Sequence, residues 1–236
     1  MKRLFTPSVP ELVRFDTSSD LIAEEQLEKF FLETGGNFNY LPATKALQKA
    51  FKGYHIEQRL VEGCYKSGSK SGRTPNAEVA TLAVPVAFGR VTQVFPIPKR
   101  PFKFGHNREA AFRVPFFFTE EEIVKICYLQ PRKYDPFNHD QLCGLFTIYK
   151  RHLLDKEFYN ERTDIEFIDV SAPEKGAKRV LSQKKLSDVK LWSDDKLVDH
   201  LTTISKVLDK LERIGLAEEI KPRRPFKDPE LPLFDW

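Results

Sequence analysis

The sequence predicts an α/β or α+β fold, with an N-terminal helical region followed by a central mixed sheet flanked by helices. Three observations predict it. Two short apolar runs, Phe112–Phe118 and Ile123–Gln130, are rich in aromatic and β-branched residues, and the acidic Thr119–Glu122 between them reads as a hairpin turn. From Asn138 to Glu157 the apolar period becomes helical, which places Leu142, Leu145, Phe146, Tyr149, Leu153 and Leu154 on one side. Ile165–Val170 then reads as a strand again.

The chain divides into an N-terminal arm and helical region (residues 1–75), a sheet domain with a C-terminal helix (76–220) and an extended tail (221–236). Met1–Asp20 carries Pro7 and Pro10 and reads as an arm. Ser18, Ser19 or Asp20 caps a helix over Leu21–Glu33, stopped by Gly35-Gly36. Thr44–Lys52 and Ile56–Tyr65 read as two further helices broken at Gly53. Ser67–Pro75 lacks apolar anchors and reads as a mobile loop. Asn76 is placed to cap a buried helix containing Val79, Leu82 and Ala83, with a kink at Pro85. Val91–Ile97 reads as a strand that Pro96, Pro98 and Pro101 keep from the middle of a sheet. Pro173–Lys190 is a basic segment. Ser193 caps a helix over Asp194–Ile214, which Gly215 stops.

Composition excludes several classes. Of 236 residues, 41% are hydrophobic and 31% charged, which excludes a largely disordered chain. No apolar run approaches the roughly 20 residues a membrane helix needs. Polar residues interrupt the basic N-terminus before it could form a signal-peptide core, so a cytoplasmic location is expected. Three widely spaced cysteines, Cys64, Cys127 and Cys143, do not make a disulfide framework. The net charge of +4 permits a nucleic-acid partner without requiring one.

From Asn76 onward the order is helix, three strands, helix, strand, helix. This order resembles the core of the restriction-endonuclease-like, PD-(D/E)XK superfamily. The resemblance implies a carboxylate near the start of the second core strand and an acid-x-lysine triplet on the third, which together hold a divalent metal that activates water. By position, the catalytic set is Glu109, Gln130 and Lys133, with Glu109 and Gln130 as ligands of a Mg²⁺ ion. Gln130 stands where the family has an acid, and its carbonyl supplies no negative charge. Gln130 and Arg132 would share a strand face, although Pro131 disturbs the strand. Two functions follow from the resemblance: a bacterial DNA-associated protein acting as a metal-dependent nuclease, or a non-catalytic interaction subunit on the same scaffold.

Other residues carry weaker signals. Arg132, Lys178, Arg179, Lys184 and Lys185 are the candidate phosphate contacts, with aromatics nearby for stacking on bases. Glu120, Glu121 and Glu122 read as a solvated hairpin tip, and Glu166 as an edge or solvent-facing acid. His139 and Asp140 read as helix-cap residues, and His200 shows no partner. No phosphate-loop, dinucleotide or serine-hydrolase motif is present. The terminal Glu230-Leu231-Pro232-Leu233-Phe234 resembles the Q-L-x-L-F peptide by which bacterial replication and repair proteins dock on the sliding clamp. That resemblance implies that Leu231, Leu233 and Phe234 fill a partner's apolar pocket; the alternative is that Phe234 and Trp236 pack back on their own domain.

Overall fold

The computed structural model describes residues 3–33, 38–97 and 100–220. In chain order, α1 (Val9–Leu12), α2 (Asp20–Leu32), α3 (Leu41–Phe51), α4 (Glu57–Lys66) and α5 (Arg73–Ala83) precede the first strand. Then come β1 (Gln93–Pro96), β2 (Pro101–Phe104), β3 (Arg108–Ala111), β4 (Phe116–Glu120) and β5 (Ile123–Gln130). The remainder is α6 (His139–Tyr149), α7 (Asp155–Glu157), β6 (Thr163–Asp169), β7 (Ser182–Lys184), α8 (Asp194–Arg213) and α9 (Leu216–Glu219). No helix of the described residues is long and apolar enough to cross a membrane.

The main sheet has the order β1-β4-β5-β6-β7. The β1, β4 and β5 strands form an antiparallel meander, β6 joins β5 in parallel through the α6 crossover, and β7 closes the far edge antiparallel to β6. Side chains alternate between faces, so each face has its own core. Phe116, Phe118, Cys127, Leu129 and Ile168 pack beneath α3, α4 and α5. Ile126, Tyr128, Ile165 and Phe167 pack against α6, α8 and the N-terminal arm. The hairpin of β4 and β5 thus lies at the sheet's centre, as expected. Phe116 and Phe118 serve one core, and Ile126 and Tyr128 the other. The N-terminal helical region is divided between the faces, with α1 and α2 on one side and α3–α5 on the other.

The helix boundaries follow local chemistry. The Ser19 hydroxyl accepts from the Ile22 amide at the start of α2, and the Ser193 hydroxyl from the Lys196 amide at the start of α8. Asn138 and Gln141 cap α6 reciprocally. The long helix expected over Asn138–Glu157 is continuous, but one π turn at Lys150–Leu154 joins α6 to α7. Gly215, at φ +86°, ends α8 in the left-handed conformation that glycine tolerates.

Four local expectations are corrected. Phe112–Pro115 is not strand: Arg113 has φ +61°, and the ladder begins at Phe116. The turn of the central hairpin is only Glu121-Glu122, both at positive φ, while Thr119 and Glu120 remain in β4. The stretch expected to be a mobile loop holds the first turn of α5, with Pro75 where a helix start tolerates proline. Asn76 is therefore not a cap. It is buried inside α5, where its side chain accepts from the Ala43 amide and donates to the Asn39 and Gly72 carbonyls. Beyond these, β2 and β3, for which no expectation was stated, form a separate hairpin, tied to α8 by Arg108, which donates to Asp209 and Glu212.

The packing of α6 against the chain before α8 yields a test. Trp192 is 5% exposed, and its backbone N–H donates to the Thr147 hydroxyl. Its ring lies where a Cβ on Gly144 would come within 2.6 Å. Gly144→Ala should therefore destabilise the protein by about 1–3 kcal/mol despite alanine's better helix propensity, because the indole ring has no slack. Urea unfolding measures this; a stabilised variant would show that the ring moves aside.

Candidate functional site

In a parallel pair, the carboxyl ends of the strands are where loops diverge and leave a crevice. Here β5 ends at Gln130 and β6 at Asp169, and an open cleft of about 1120 Å³ lies beside them. Arg14, Arg132, Lys133 and Arg179 line it with the aromatic Phe30, Phe38, Tyr40 and Tyr134, and with the acidic Glu11, Glu78 and Asp135. Mixed charge and exposed ring faces make this the most chemically furnished concavity at the sheet's end.

Most of its arginine donors are already committed. The Arg179 side chain is 5% exposed; it donates to the Pro131 and Val170 carbonyls at 2.6 and 3.0 Å and to the Tyr40 hydroxyl at 3.0 Å. It staples the ends of β5 and β6 to the helical layer, so it is no free phosphate contact. Arg14 pairs with Asp135 at 2.5 Å, and its guanidinium lies 3.7 Å from the Phe137 ring centroid. Burial pushes its pKa down, against the pull of Asp135 and Glu11, and its Nε is buried without a hydrogen-bond partner among the described residues. Arg132 pairs with Glu11 and with Asp135.

The residues mapped from the nuclease resemblance are not brought together. Glu109 sits on β3 in the separate hairpin, exposed, with Lys103 Nζ at 3.4 Å. Gln130 is 1% exposed in the main sheet, and its amide donates to the Asp135 carbonyl. Lys133 is at the cleft rim, its ammonium 5.1 Å from the Tyr134 ring centroid. Glu109 and Gln130 therefore do not fit a shared Mg²⁺ ion: one is spent on a lysine in another sheet, and the other supplies no charge. Among the described residues no three His, Cys, Asp or Glu side chains converge as a metal group. Of the candidate phosphate contacts, Lys178, Lys184 and Lys185 are exposed. Leu231, Leu233 and Phe234, the proposed partner peptide, lie outside the described residues.

A charged cluster that the sequence did not reveal lies away from this cleft, from the β4-β5 turn to the middle of β6. Arg90 donates to Glu120 at 2.7 and 2.6 Å and to Glu166 at 3.1 Å, and Lys125 donates to Glu120 at 2.7 Å. All four side chains are less than 20% exposed. Alternation explains the grouping: Glu120, Lys125 and Glu166 fall on the same face as Phe118 and Cys127. Glu120 is thus no solvated hairpin tip, and Glu166 does not face open solvent. Arg90 lies across this face, 5.1 Å from the Phe51 and 5.3 Å from the Phe118 ring centroid. The guanidinium occupies the space between the two carboxylates.

Compared with models of known protein families and with curated proteins, the chain has no significant match.

The Arg90 cluster carries a pH dependence. Hydrogen bonding from Arg90, opposed by burial and helped by Lys125, holds Glu120 at about 2, below its ordinary 4.5. A depressed carboxyl contributes stability that is full above its unfolded value and is lost as pH falls through the folded one. Arg90→Ala should cost about 3 kcal/mol near neutral pH, since it leaves the largely buried Glu166 without this partner and Glu120 with Lys125 alone. The gap between variant and wild type should shrink between pH 4.5 and pH 2. Denaturation at a series of pH values measures it; a pH-independent gap would mean that Arg90 acts through packing alone.

Proposed function

We propose that this chain is a DNA-associated protein of bacterial type in which a restriction-endonuclease-like sheet serves as a binding platform. The observation that carries this reading is the placement of the basic segment. Residues 173–190 hold six basic and two acidic residues, an excess as large as that of the whole chain. The segment runs from the cleft rim onto the edge strand β7, and Lys175, Lys178, Lys184, Lys185 and Lys190 are exposed there. Among the described residues the ammonium groups of these lysines form no salt bridge, although the Lys185 backbone amide donates to Asp188. Tyr134, 55% exposed, shares a surface hollow with Lys175 and offers a ring on which an unpaired base can stack. Lysines on an edge strand also discourage strand-to-strand aggregation; binding and edge protection are compatible uses of one surface.

Metal-dependent nuclease activity is the second reading. The main sheet supports it: after a helix come three antiparallel strands, β1, β4 and β5, then a crossover helix and the parallel strand β6, with the β2-β3 hairpin inserted between β1 and β4. The placement of Glu109 and Gln130 speaks for the platform instead. A protein partner bound through Leu231, Leu233 and Phe234 is compatible with either.

Two measurements separate these readings. Reversing Lys178, Lys184 and Lys185 to Glu should weaken binding to all DNA sequences alike. It should also flatten the salt dependence by about 0.9 log unit per lost duplex contact. Fluorescence anisotropy at several salt concentrations reads both, and unchanged affinity would exclude the segment. Arg179→Ala should lower the melting temperature instead, because that side chain staples the strand ends. For the nuclease reading, wild type is incubated with Mg²⁺ or Mn²⁺ and with single- or double-stranded DNA. Cleavage abolished by Glu109→Ala and by Lys133→Ala would support it; no cleavage by the wild type leaves the platform.

A further inference from the structure

A second cavity, of about 670 Å³, lies between the N-terminal arm, the start of α6 and the face of α8. It is lined by Thr17, Asn138, Asp140, Lys196 and His200, among others. His200 is 6% exposed, and its Nε2 lies 2.9 Å from the Leu12 carbonyl oxygen. A carbonyl can only accept, so Nε2 carries the proton. In the neutral ring Nδ1 is then bare. The Thr17 hydroxyl lies 2.9 Å from it, and must be the donor. Burial holds His200 below its ordinary pKa, which keeps the ring in this neutral form near pH 7.

This is the arrangement an activated nucleophile requires: a hydroxyl on a base, and the base fixed by a third group on its other nitrogen. The ring is further confined by Trp192, whose centroid lies 5.0 Å away. Trp192 is itself anchored by Nε1 donating to Asp140 at 3.0 Å. Lys196, which pairs with Asp140 at 2.5 Å, lines the same cavity with Arg14 and with the carboxylates of Asp16 and Asp199.

We propose that Thr17 is a nucleophilic hydroxyl, with His200 as its general base, that takes the acyl group of small activated esters entering this cavity. Thr17 Oγ1 bonds to the ester carbonyl carbon as its proton passes to His200 Nδ1. The bond to the leaving oxygen breaks, and His200 returns the proton to it, releasing an alcohol. Water then adds to the acyl-threonine while Nδ1 takes its proton. The carboxylic acid departs, and Thr17 Oγ1 recovers the proton from His200. The Leu12 carbonyl acts as a positioning group, holding the tautomer.

The test uses the full chain and p-nitrophenyl acetate. Peptide mass mapping after brief reaction should find the acetyl group on Thr17, and Thr17→Ser should keep that labelling. Thr17→Val, which preserves shape, should abolish it and reduce p-nitrophenol release to the background given by surface lysines. His200→Gln, confirmed folded by circular dichroism, should slow labelling by about a hundredfold or more. If that variant does not fold, the comparison of Thr17→Val with Thr17→Ser decides alone. Acetyl groups confined to lysines, or release by Thr17→Val equal to wild type, would overturn the proposal and leave Thr17 and His200 as a tether for the N-terminal arm.

Discussion

Everything in this fold depends on covering both faces of the β4-β5-β6 centre. Phe116 and Phe118 on one face and Ile126 and Phe167 on the other are each 1% exposed or less. A parallel pair such as β5 and β6 cannot be closed by a tight turn; it requires a crossover element, and α6 supplies both the connection and the cover. On the opposite face no crossover is available, so α3, α4 and α5 provide the layer. Burying a large apolar side chain contributes roughly 1.5–3 kcal/mol, so a sheet this aromatic could not be left bare on either side.

The same constraint decides where chemistry can occur. Because the sheet's faces are dry and apolar, the ionisable groups on them must be paired. On the face covered by α3–α5, the Arg90 guanidinium neutralises Glu120 at the end of β4 and Glu166 in the middle of β6 within a largely buried network. At the carboxyl end of β5 and β6, Arg14, Arg132 and Arg179 bind carboxylates and carbonyls that would otherwise be left unpaired by the diverging loops. Both arrangements are mainly architectural. The exposed lysines of the basic segment and the ring of Tyr134 lie outside both.

The legible parts of the fold were those encoded over a few residues. The cap at Ser193, the start of α2 within Ser18–Asp20, the helical stripe of α6 and the alternation through β5 each rest on local spacing. The β2 and β3 hairpin was not legible, because each strand is only four residues long and the run holds prolines, glycine and charges. Asn76 was misread for a related reason. A cap and a buried polar staple look alike in sequence, and only the approach of α3 distinguishes them. The candidate contacts fared unevenly. Lys178, Lys184 and Lys185 are on the surface, while their neighbour Arg179 turns inward to carbonyls that no local pattern announces.

By itself, the sequence determined the class of fold, the central hairpin, the crossover helix and the concentration of positive charge in one segment. These follow from hydrophobic period, turn chemistry and composition, all of which act between near neighbours. Only the tertiary structure decided that α1–α2 and α3–α5 cover opposite faces, and that Glu109 and Gln130 belong to different sheets. It also decided that Arg90 lies between Glu120 and Glu166, 76 residues from the latter, and that Thr17 meets His200 across 183 residues. Such meetings depend on how whole elements stack, and stacking is set by the summed packing of both cores rather than by any single stretch of chain.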